Sequence, residues 1–83
     1  SAGASTELDL RGMTADEAVA TLAVFLDNAM LANLSSVRII HGKGTGVLRK
    51  AVQDELKHNR AVKRYRLGVY GEGEDGVTIA TLK

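Results

Sequence analysis

A chain of 83 residues, 45% hydrophobic and 25% charged, with no cysteine, makes one small globular domain that no disulfide or thiolate zinc site can staple. A net charge of +1 names no partner by itself. The absence of cysteine fits a reducing cytoplasm, and with no apolar stretch of membrane-spanning length and no signal-type segment opening the row, a membrane partner is not expected.

Residues 1–6 open as Ser1-Ala2-Gly3-Ala4-Ser5 without an initiator methionine and read as a linker end or cloning scar, leaving 7–83 as the domain. Leu8 and Leu10 alternate with Asp9 and Arg11, which predicts a short half-buried strand ending at Gly12. Thr14-Ala15-Asp16-Glu17 is a capping box that starts a helix. Its apolar stripe runs through Ala18, Leu22, Phe25 and Ala29, with Val19, Leu26 and Met30 alongside, to about Asn33. Val37 and Ile39 alternate with Arg38 in a second strand. A second helix, Val47 to His58, buries Leu48, Ala51, Val52 and Leu56. Tyr65, Leu67 and Val69 alternate with Arg64 and Arg66 in a third strand, and Val77 and Ile79 open a fourth after the turn Glu74-Asp75-Gly76.

The order β-α-β-α-β-β predicts an α+β two-layer sandwich. Right-handed crossovers place both helices on one face of a mixed four-stranded sheet. Asp9, Arg11, Arg38, Arg64 and Arg66 then point to the uncovered face or its rim. Ligands of open α/β sheets lie beyond the carboxyl ends of the parallel strands. With the first three strands parallel, that edge gathers Arg11-Gly12, the loop after the second strand and the Gly71–Gly76 loop.

The loop after the second strand, His41-Gly42-Lys43-Gly44-Thr45-Gly46, is the most informative segment. Alternating glycines let the backbone turn and present its N–H groups with no side chains in the way, and a helix N-terminus stands behind them. The pattern fits neither G-x-x-x-x-G-K-[ST] nor G-x-G-x-x-G. The second helix breaks dipole logic: Lys43, Arg49 and Lys50 crowd its start and no acid precedes Asp54. A bound anion, held by Gly42, Lys43, Gly44, Thr45 and Gly46, accounts for that; long side chains reaching into solvent account for it as well. Between Arg38 and Arg66 nine basic residues face two acids, a footprint expected of a nucleic-acid surface or of a solvated face.

His41 is a candidate general acid or base, or a structural histidine orienting the loop. Asp9 and Arg11 are either an ion pair or a working pair, with Asp9 orienting water, a proton or a metal and Arg11 steadying phosphate charge. No metal set is fixed. Asp9, Glu72, Glu74 and Asp75 are the acids that a divalent cation (Mg or Mn) would use, and glycine-spaced acids are equally a polar turn. Only Phe25, Tyr65 and Tyr70 are aromatic, so no conspicuous base-stacking platform is expected.

These motifs resemble the small MutS-related (Smr) domain, in the version that ends bacterial MutS-like ATPases of recombination and ribosome rescue. Leu8-Asp9-Leu10-Arg11-Gly12 is similar to the family's first motif, His41 to Gly46 to its second, and Gly76-Val77-Thr78-Ile79 to its closing strand. The likeness covers residues 7–82. It implies the fold of the C-terminal domain of translation initiation factor three, and endonuclease activity that nicks DNA, often branched, or RNA. It also implies an ATP-binding parent, expected as a homodimer, that acts in DNA recombination and on collided ribosomes, with the isolated domain a monomer. Many members carry His at the place of Arg11. Arginine cannot shuttle protons, which leaves His41 as the one motif histidine. Two other readings stand beside the nuclease: a DNA- or RNA-binding module without chemistry, and a protein-interaction domain using the open sheet face.

Overall fold

The computed structural model describes residues 5–83, so the expected linker lies largely outside the described residues. Strand β1 is Glu7–Asp9, helix α1 Ala15–Leu31, β2 Ser36–Ile40, α2 Val47–His58, β3 Val62–Leu67 and β4 Val77–Leu82. A single 3₁₀ turn, Glu74–Gly76, leads into β4. The sheet order is β1-β2-β4-β3, with β1 parallel to β2 and β4 antiparallel to both β2 and β3. The first three strands therefore run the same way, and the last returns between the second and third.

Helix α1 begins where its capping box places it. The Glu17 amide donates to Thr14 Oγ1 at 3.2 Å and the Thr14 amide to Glu17 Oε1 at 2.9 Å, satisfying two donors that a helix start leaves unpaired. The helix ends at Leu31, two residues before Asn33, which takes the left-handed conformation at φ 58°. Ala18, Leu22, Leu26 and Ala29 from α1 and Val52 and Leu56 from α2 meet Val37, Ile39, Ala80 and Leu82 in one core, with Leu10 wholly buried beside them. Leu48 packs against that core partly buried.

The opposite sheet face carries a row of aligned residues, Glu7, Arg38, Ile79 and Arg66, with Arg64 beside Thr81 in the next row. Both helices thus cover one face and leave the arginines on the other, as the alternation predicts.

Two differences concern the last strands. β3 starts earlier than the pattern suggests and stops before Val69, which is exposed. A register shift between Val62 and Arg64 leaves Lys63 unpaired, and this bulge lets Val62 and Tyr65 face the same core although they stand three positions apart. The Gly68 amide makes a last bond to the Val77 carbonyl before the chain turns away. In β4, Thr78, Ala80 and Leu82 face the helices, while Ile79 lies on the open face between Arg38 and Arg66.

Leu22 is fully buried at the centre of the helix–sheet interface. Leu22→Ala should cost about 2–5 kcal/mol, a large share of the ~5–15 kcal/mol typical of a domain. Urea unfolding should show a lower midpoint with an unchanged slope.

Candidate nucleic-acid interface

The Gly76 carbonyl, at the entry to β4, accepts from the amides of His41 (3.1 Å) and Gly42 (2.9 Å). One oxygen thereby turns the chain out of β2. Gly42 continues at φ 86°, with the aliphatic stem of Arg11 against it, and Gly46 caps α2 in the left-handed conformation at φ 89°. Glycine is required there because an L side chain strains at such a φ. Gly46 offers no side-chain cap, and the Val47 amide reaches only Thr45 Oγ1, at 3.4 Å. The amides of Lys43, Gly44, Thr45 and Gly46, and those of Leu48 and Arg49 in the first helical turn, donate to no acceptor among the described residues. The Arg49 guanidinium folds back over Gly46, and the first turn contains no acid.

Residues 44–49 line a groove of about 280 Å³, whose far wall is Met13, Thr14 and Ala15 at the start of α1. Gly42 is also a wall of a second cleft of about 550 Å³ on the sheet side, lined by Arg11, Arg38, Lys43 and Gly76. The loop is a ridge between them. Unbonded N–H groups, a helix N-terminus and a guanidinium on one side, with further cations on the other, are the components of an oxyanion site.

His41 is 4% exposed. Its Nδ1 lies 3.1 Å from the Gly42 carbonyl oxygen and its Nε2 2.8 Å from Thr78 Oγ1. A carbonyl only accepts, so Nδ1 carries the proton, and the Thr78 hydroxyl donates to Nε2 while accepting from the Gln53 amide at 3.3 Å. Protonating Nε2 would leave the Thr78 hydroxyl hydrogen without its acceptor. Burial, helped by the positive charge of Arg49, pushes the His41 pKa down against the pull of the Gly42 carbonyl and Asp75. The ring is a neutral strut between β2, β4 and α2.

Asp9 and Arg11 form a forked pair at the end of β1: Nε donates to Oδ1 at 3.0 Å and NH2 to Oδ2 at 2.7 Å, and the Arg11 amide adds a bond at 3.0 Å. These bonds hold the Asp9 carboxyl at about 2, far below the usual range, so it is a weak base. NH1 of Arg11 remains for a ligand. Lys43 reaches Glu74 at 3.1 Å and Asp75 at 3.7 Å, and Arg66 grips Glu72 through two nitrogens. Arg38 pairs with Glu7 and donates to the Glu72 carbonyl at 3.1 Å.

The structure thus brings together Arg11, Arg38, Gly42 and Lys43 on one side of the ridge, and His41, Gly44, Thr45, Gly46 and Arg49 on the other. Lys50 turns to Asp54 at 3.0 Å, along the helix, and lines neither cleft. Arg64 stands one row further from the carboxyl edge than Arg66. Asp9, Glu72, Glu74 and Asp75 are each engaged by a cation, and among the described residues no three candidate ligands gather into a metal-binding group. Gly76, Thr78 and Gln53, which position the loop, carry no sequence signal of that role; they become visible only when β4 is placed beside β2.

The family model of the Smr domain matches residues 8–83. A curated relative named Endonuclease MutS2, from Symbiobacterium thermophilum, is 60% identical over 79 residues, covering 95% of this chain and 10% of the relative. One of the same name from Agathobacter rectalis is 58% identical over the same length and shares. The chain spans about a tenth of the length of these relatives. Among solved structures, the Smr domain of Thermus thermophilus MutS2 matches with a TM-score of 0.91 at 40% identity, covering 94% of this chain and 98% of that one. YdaL, a stand-alone small MutS-related protein from Escherichia coli, matches at 0.89 and 25% identity, covering 94% and 64%.

Two predictions follow from the loop's geometry. Gly44 lies outside the left-handed region, and a Cβ there would meet nothing within 4 Å. Neither conformation nor packing asks for glycine at that position, whereas a ligand approaching the backbone does. Gly44→Ala should keep the melting temperature while weakening phosphate or oligonucleotide binding about fivefold, near the worth of one hydrogen bond of ~1 kcal/mol. A fall in melting temperature with unchanged binding would give the glycine a structural role.

The second concerns pH. With the folded His41 pKa below its ordinary 6.5, neither folded nor unfolded chain holds that proton above about 6.5. As pH falls below that value the unfolded chain binds a proton the fold resists, and stability declines until the folded pKa is passed. Melting temperature should therefore drop between pH 7.5 and 5.5, and His41→Gln should flatten the profile.

Proposed function

The chain belongs to the Smr domain family, and on that footing we propose that it is the nucleic-acid-engaging nuclease domain of a MutS2-like protein. It would hold a backbone phosphate at the 43–49 ridge and nick the phosphodiester. The observation that carries this reading is the set of unbonded amides from Lys43 to Gly46 and at the start of α2, flanked by Arg49. Relatives named endonucleases supply the reaction class.

Catalysis on this site is mainly electrostatic. Amides aimed at a phosphate oxygen stabilise the charge that develops during displacement without reorganising, and NH1 of Arg11 adds a planar donor. Asp9 and His41 serve this site by position: Asp9 orients the Arg11 guanidinium through its forked pair, and His41 holds the loop whose amides meet the phosphate. Among the described residues no three candidate ligands gather into a cage for a divalent cation. In the longer parent the same surface would bring an ATPase to branched DNA or to ribosomal RNA in the cytoplasm.

A second reading, a binding module without chemistry, is favoured by one specific observation: both nitrogens of His41 are engaged, and its burial keeps it neutral. The two readings separate in one assay of the purified domain on supercoiled plasmid, with and without chelator. The nuclease should convert plasmid to the nicked form, and Arg11→Ala should slow this at least tenfold. Arg49→Ala should weaken binding across sequences and reduce the salt slope by about 1. Binding without nicking selects the second reading; no binding at low salt removes both.

A further inference from the structure

The connection from β3 to β4 presents the most exposed aromatic ring among the described residues. Tyr70 is 92% exposed with Val69 beside it, whereas Phe25 and Tyr65 pack against the core. Of the three aromatic side chains, Tyr70 is thus the one left open to solvent.

The ring is not on a loose loop. The Glu72 amide donates to the Val69 carbonyl at 2.8 Å and Gly71 lies at φ 89°, which makes residues 69–72 a type II turn with Tyr70 at its first corner. The Glu72 carboxylate buckles that turn. It accepts from the Val69 amide at 2.9 Å and from NH1 and NH2 of Arg66 at 2.7 and 3.0 Å. At its far end the same connection supplies the Gly76 carbonyl that holds His41 and Gly42, and Glu74 and Asp75 reach Lys43. The ring therefore stands on a braced arm continuous with the anion ridge.

We propose that Tyr70 is a stacking platform for an unpaired nucleobase, used when the neighbouring backbone phosphate is held at the ridge. The proposal rests on the nucleic-acid reading above and deepens it to a preference for single-stranded or unpaired segments. The turn fixes the backbone beneath the ring, so stacking has only the side-chain torsions of Tyr70 to order, and a base π-face is available whatever the sequence. Inside a duplex each base is already stacked on both faces, and only the two end pairs offer the ring a free face.

The test measures the affinity of the 83-residue chain for a short single strand of DNA carrying 2-aminopurine, the same strand as RNA, and the blunt DNA duplex. Tyr70→Ala should lose about tenfold on single strands, with the salt slope and duplex affinity unchanged. Tyr70→Phe should retain wild-type affinity, and 2-aminopurine should be quenched by wild type and Phe but not by Ala. Equal single-strand affinity of wild type and Tyr70→Ala would overturn the platform and leave the backbone reading standing. An equal loss on strand and duplex would overturn it too. A wild type that binds no nucleic acid at low salt would overturn both readings.

Discussion

The site depends on one oxygen. By accepting from two successive amides, the Gly76 carbonyl bolts the end of β2 to the start of β4 and ends strand geometry there. Below the bolt, Thr78 and Gln53 tie the His41 ring to β4 and α2. The base of the loop is thus fixed by three elements while the amides of its tip have no protein partner among the described residues. A binding site whose donors are already held pays no ordering cost when its ligand arrives.

Charge is not what selects the ligand. Arg11, Arg38, Lys43 and Arg66 each lie against a carboxylate, so a phosphate at this edge exchanges partners with Asp9, Glu7, Glu74 or Glu72 instead of meeting bare cations. Exposed pairs of this kind contribute about 0–1 kcal/mol, so exchange is easy but adds little. The difference comes from the amides of residues 43–46, which the protein's own acids do not reach. Loop geometry, more than the count of basic residues, is then what would set this edge apart for an oxyanion.

Much of this was legible in the row because the signals were local. Thr14 and Glu17 mark a helix start by their own chemistry, and the apolar stripe ending at His58 bounds α2. The alternation at Val37–Ile39 assigned the arginine of β2 to the open face. β3 resisted because the bulge at Lys63 breaks the period of two on which strand reading relies. Thr78 was invisible as a site residue because a threonine in a strand is ordinary until its partner across the sheet is known. Tyr70 was equally opaque: exposure of a turn residue depends on the turn's closure by Glu72, a tertiary fact.

The burial of His41 reassigns what its ring can do. Nδ1–H pulls the Gly42 carbonyl inward. In a trans peptide the following N–H points the opposite way, and there are no cis bonds among the described residues. The Lys43 amide is the N–H of that same peptide plane, so the ring turns the first unbonded donor of the ridge away from the core. An imidazole in this role orients backbone donors and needs no proton exchange to do so. Arginine at position 11 is compatible with such a site, because neither motif residue then has to change its charge for the anion to be held.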